Sequence, residues 1–177
     1  MTRRVACVVA AWVASACSSV DTPPTVVTSA DSADQVGYGV THVLTNDGIR
    51  RMRLEADSAY AYLRAQRHEL FGVTVTFYAP TGAVTSTLTA REGTYDWRTG
   101  NMEARGDVVT VNPEGNRLET SVLQYDRGRN LIVGPAPFHW RTPEQDVRGD
   151  GFTSDPGLRN VQTTRARGAL GRVPVNQ

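Results

Sequence analysis

The sequence predicts an all-β fold, an antiparallel jelly roll or slightly open β-sandwich of repeated strands, and three observations carry that expectation. Apolar and polar residues alternate at period two over long segments. Clusters of Gly, Pro, Asn and Asp separate those segments at short intervals. The chain also repeats itself: Leu88-Thr89-Ala90 with Tyr95-Asp96 returns as Leu118-Glu119-Thr120 with Tyr125-Asp126, thirty residues later. Leu54-Glu55-Ala56 with Tyr60, and Val147-Arg148-Gly149 with Phe152 and Asp155, read as looser copies. A unit of two or three strands cannot bury its apolar face alone, so such copies must stack or fold over one another.

The first segment is not part of that fold. Arg3 and Arg4 precede a short apolar run, VACVVAAWVA, that ends in the small residues Ala14-Ser15-Ala16 before Cys17. This is the layout of a secretory signal peptide over residues 1–16. Its end resembles the lipobox of bacterial lipoproteins, which makes Cys17 the expected lipidation site; the alternative is an ordinary signal peptide cleaved near the same place, with Cys17 a passenger. Residues 17–36 are rich in Ser, Thr, Asp and Pro and read as a flexible tether. The eighteen residues from Ser18 to Gln35 extend to roughly 60 Å and average about 23 Å. No run of eighteen apolar residues occurs to suggest a spanning helix.

The β domain is expected over residues 37–160. YGVTHVLT and FGVTVTFYA alternate cleanly, whereas AYLRAQRHELFG suits a strand or a short helical turn equally well. Turns are expected at Thr45-Asn46-Asp47-Gly48, Pro80-Thr81-Gly82, Arg98-Thr99-Gly100-Asn101, Asn112-Pro113-Glu114-Gly115 and Arg127-Gly128-Arg129-Asn130. Residues 161–177 are polar and rich in Gly and Arg, and read as a loose tail. Once Cys7 leaves with the signal peptide, Cys17 is the remaining cysteine, so the fold must rest on its core rather than on a disulfide.

Charge and motifs exclude more than they propose. All 19 basic residues are Arg, set against 18 acidic ones, and removing Arg3 and Arg4 leaves 17. A nearly neutral chain offers no broad attraction to nucleic acid. His42, His68 and His139 lack metal-ligand spacing. Asp146, Asp150 and Asp155 lack the alternate-position pattern of a calcium loop and suit turns instead. The glycines of Arg105-Gly106-Asp107 and Arg148-Gly149-Asp150 read as bulges or close approaches. There is no phosphate-binding loop, nucleophile motif or dinucleotide fingerprint. No catalytic residue, metal ligand or cofactor is therefore assigned, and the chain is not expected to be an enzyme.

The stretch from Val73 through Asp126, with its L-x-A, Y, M-x-A-x-G-x-V and G-x-x-L-x-T-x-x-L-x-Y stations, and the closing VRGDGFTSDPGLRN resemble the LptC family. That family is the periplasmic component of the lipopolysaccharide export ABC transporter. The resemblance implies a jelly roll whose apolar groove holds lipopolysaccharide acyl chains. It implies receipt from the inner-membrane permeases and delivery to a periplasmic LptA-like bridge. The groove candidates are Val73, Val75, Phe77, Val84, Leu88, Met102, Val109, Leu118, Leu123 and Ile132, each of which would equally serve an ordinary core. The expected docking edge comprises Val147, Gly149, Gly151, Phe152 and Thr153.

The chain is thus expected in the periplasm, held to a membrane through Cys17. The proposed role favours the inner membrane, whereas Ser18 after the cysteine fits the outer-membrane sorting habit of enteric bacteria. A non-catalytic structural or docking lipoprotein of the envelope is the alternative function.

Overall fold

A computed structural model describes residues 33–170. Twelve strands are present among them: β1 (Gln35–Asn46), β2 (Ile49–Tyr62), β3 (Arg67–Tyr78), β4 (Val84–Asp96), β5 (Met102–Val111), β6 (Arg117–Asp126), β7 (Leu131–Gly134), β8 (Phe138–Arg141), β9 (Gln145–Gly149), β10 (Gly151–Ser154), β11 (Gln162–Thr164) and β12 (Arg167–Leu170). All pairings are antiparallel, and the sheet does not close on itself.

β1 to β6 form a meander because each connection carries the turn chemistry that a hairpin needs. Asp47 and Gly48 both have positive φ, at 51° and 74°, in the two-residue link between Asn46 and Ile49. That backbone matches the right-handed twist of the flanking strands. The β4–β5 turn is fixed by Asp96, whose Oδ1 accepts the N–H groups of Arg98 (2.9 Å) and Thr99 (2.8 Å). The ambiguous AYLRAQRHELFG segment resolves into two strands around a turn at residues 63–66, with Gln66 at φ 52°.

The sheet then forks. Gln124–Asp126 of β6 pairs with β7, while Arg117–Thr120 pairs with β8. One arm continues β7–β10–β11, and the other runs β8–β9–β12. Two stretches of the tail expected to be loose, β11 and β12, are therefore strands. Their glycine content has a packing reason: a Cβ on Gly168 would strike the Asp146 carbonyl oxygen, so β12 can approach β9 closely only without a side chain there.

A crease crosses the meander. Gly39 lies opposite Asp57, Asp57 opposite Gly72, and Gly72 opposite Arg91. On β5 the line continues into a bulge at Gly106-Asp107, both with positive φ. The buried set changes phase along this line: Met52, Leu54 and Ala56 are followed by Ala59 and Ala61, and Leu118 and Thr120 by Leu123 and Tyr125. Alternation that restarts one residue out of phase keeps apolar side chains facing inward as each strand bends. The two halves of the strands therefore supply both layers of the sandwich. Phe77 of one half meets Tyr125 of the other edge-on at 5.2 Å between ring centroids.

Candidate functional site

Eight of the ten groove candidates converge on the inner face. Val73, Val75, Phe77, Leu88, Met102, Leu118, Leu123 and Ile132 all belong to one buried cluster. Two do not. Val84 is 44% exposed, because Phe77 pairs with Ser86 and Tyr78 with Val84, which leaves Thr85 as an extra residue that breaks the alternation. Val109 is half-buried, because Val108 and Thr110 take the inner positions opposite Thr120 and Leu118. Both residue parities are apolar in Val108-Val109, so the alternation there names no inner face.

The inner face is packed rather than open, since side chains from both halves fill the space between them. The expected edge is also corrected. Val147 and Gly149 lie on β9, which is paired on one side by β8 and on the other by β12. Gly151, Phe152 and Thr153 lie on β10, between β7 and β11. The unpaired edges of the described sheet belong to β1, β11 and β12.

Open volume is found where the turn ends of the two halves meet. A cavity of about 690 Å³ is lined on its apolar side by Leu44, Met52, Phe77, Tyr125 and Pro156. Its polar side includes Arg51, Arg127, Asn130, Asp155 and Arg159. The floor is formed by the ends of β1, β2 and β3, and the roof by the β6–β7 turn and the 155–159 loop.

Hydrogen bonds fix this roof. Asp155 accepts the N–H groups of Gly157 (3.0 Å), Arg159 (3.0 Å) and Asn160 (2.8 Å), so its carboxylate is committed to the loop itself. The loop is stitched to the sheet by Ser86 donating to the Pro156 carbonyl and by Asn112 Nδ2 donating to the Gly157 carbonyl at 3.0 Å. Arg127 reaches across, its Nη2 donating to the Thr45 carbonyl at 3.4 Å.

The histidines lie away from this mouth. His42 and His68 approach the Tyr95 ring from two sides, with His42 Nε2 3.4 Å from the Tyr95 hydroxyl. Burial, then the neighbouring His42, holds the His68 imidazole below its ordinary pKa. His139 is paired with Asp146 at 2.7 Å on the outer face, beside Glu119. The two RGD glycines are a bulge at Gly106 and a close approach at Gly149, where a Cβ would lie 2.9 Å from the Thr164 carbonyl oxygen.

A family model described as "Lipopolysaccharide-assembly, LptC-related" matches residues 5–162. The chain belongs to the LptC family. That membership implies involvement in lipopolysaccharide transport, and it fits a non-catalytic, envelope-associated protein. No curated protein matches the chain. The mouth is what the sequence left unseen. The individual lining residues are spread from Leu44 to Arg159, and no local pattern joins them.

Proposed function

We propose that the chain binds lipopolysaccharide by its acyl chains on the inner face of the creased sheet. It receives the lipid from the inner-membrane ABC transporter and passes it to a periplasmic LptA-like protein. The observation that carries this reading is the mouth, where a cavity floored by Leu44, Met52 and Phe77 leads onto a predominantly apolar inner face. Burial of an acyl chain gains about 0.8 kcal/mol per methylene. Several chains inserted between the halves would offset the loss of side-chain contacts there, while the sugar headgroup stays in water.

Photo-crosslinking residues at Val75, Leu88 and Leu118 should capture lipopolysaccharide in cells, while the same probe at Thr76 or Thr89, on the opposite faces of their strands, should not. Equal capture on both faces would replace the internal path with surface adhesion.

Handover needs an unpaired edge, since exposed strands recruit a further strand through backbone hydrogen bonds. The C-terminal arm now offers that edge on β11 in place of the covered β10. Residues 1–32 lie outside the described residues, and with them the proposed signal peptide, most of the tether and the lipidated Cys17. Changing Cys17→Ala should abolish incorporation of labelled fatty acid. Persistent labelling would remove the lipoprotein anchor from this scheme.

A further inference from the structure

Several arginines of the outer face are paired with carboxylates two positions away on the same strand. Arg53 meets Glu55 at 2.8 Å, Arg67 meets Glu69 at 2.9 Å, and Arg117 meets Glu119 at 2.8 Å. Residues two apart share a strand face, so these pairs are the expected result of alternation. Arg51 and Arg127 differ, since neither has a carboxylate partner among the described residues.

Both are placed at the mouth by specific backbone features. Leu44 pairs with Met52 and Thr45 with Arg50, so Arg51 is the extra residue of a bulge. A bulge redirects a side chain out of strict alternation. Arg51 accordingly lines the cavity beside Met52, while Arg50 lies over the Tyr78 ring at 4.0 Å. Arg127 runs its aliphatic stem over Gly100, where a Cβ would strike the Arg127 Cδ and where φ is +76°. A glycine at that turn is what lets the guanidinium reach back toward Thr45.

The field of this pair is felt by a neighbour. Burial raises the Tyr125 hydroxyl above its ordinary pKa, while Arg127 and Arg51 both pull it down. Arg159 adds a third guanidinium on the same cavity, 3.9 Å from Glu114 at its outer side. The carboxylate of Asp155, the acidic group lining the cavity, is spent on three backbone N–H groups. Two guanidinium forks without a carboxylate partner among the described residues, above an apolar floor, match a ligand with an anionic tetrahedral head and an apolar tail.

We propose that Arg51 and Arg127, with Arg159 beside them, form a cationic collar that binds the phosphomonoester of a phosphorylated glycolipid headgroup while its acyl chains enter past Phe77. This rests on the reading of the inner face as a lipid path and adds to it a residue-level means of orienting the cargo head-out. Retention would then depend on headgroup charge as well as on chain length, and would weaken as salt rises.

The test uses the full chain in mild detergent, with three probes: diphosphorylated lipid A, the same lipid after removal of its phosphates, and inorganic phosphate. The wild type should prefer the phosphorylated lipid by about tenfold, the scale of one or two charge-assisted hydrogen bonds. Arg51→Gln combined with Arg127→Gln should erase most of that preference while leaving dephosphorylated lipid binding unchanged and a cooperative urea transition in place. Arg51→Gln alone should give a partial loss, and it serves as the reading if the double variant does not fold. Arg148→Gln removes the same charge from β9, away from the mouth, and should leave the preference intact.

Equal binding of both lipids by the wild type, or a preference that survives the double variant, overturns the collar and leaves the lipid path standing. Failure to bind either lipid overturns both. Displacement of the phosphorylated lipid by equimolar inorganic phosphate would make the site a free-anion site and overturn the lipid headgroup as its occupant.

Discussion

Leu118→Ala should destabilise the domain by about 2–5 kcal/mol, the range for deleting a buried leucine whose surroundings collapse only in part. Leu118 is fully buried on β6, between Thr110 of β5 and Trp140 of β8, where the fork begins. Urea denaturation should show a midpoint lowered by roughly 1–2 M. Leu63→Ala, in the exposed β2–β3 turn at 51% exposure, should remain within about 0.5 kcal/mol of wild type. A Leu118→Ala protein as stable as wild type would mean that the two halves are not packed against each other. The lipid would then enter a standing groove rather than displace a core.

Phe152→Pro should be worse still for the fold, which changes what that substitution can report. The Phe152 ring packs on Gly134 and meets Phe138 at 5.3 Å, and its backbone lies between Gly134 of β7 and Thr163 of β11. Loss of the ring alone costs about 3–5 kcal/mol. Proline also removes a ladder donor from an interior strand. Any loss of partner binding would then follow from disruption of the arm.

The informative variants lie one strand further out. Because alternate N–H groups point to opposite sides, Gln162→Pro and Thr163→Pro on β11 should differ. One should lose binding to an LptA-like protein in a pull-down while keeping the wild-type urea midpoint. Normal binding by both, with the fold intact, would exclude the β11 edge. The remaining long edge is β1, whose Tyr38 is 79% exposed.

The strands and their turns were legible in the sequence because their causes are local. Asp47-Gly48 can adopt the positive φ values of a tight hairpin, and Val73, Val75 and Phe77 alternate with threonines whatever else the chain does. The thirty-residue repeat likewise marks equivalent places on β4 and β6, since Leu88 and Leu118 share the inner face with Tyr95 and Tyr125.

What only the tertiary structure decided depends on residues far apart in the chain. The crease needs Gly39, Asp57, Gly72 and Arg91 to fall opposite one another, a matter of register across four strands that no one segment encodes. The covered edge of β10 depends on β11, whose sequence is too short and polar to announce a strand until a neighbour satisfies its backbone. The same holds for the mouth. One bulge turns Arg51 inward beside Met52, and another displaces Val84 from the inner face. A bulge is set by how two strands pair, so sequence alternation fixed which residues could face the core, and pairing fixed which of them do.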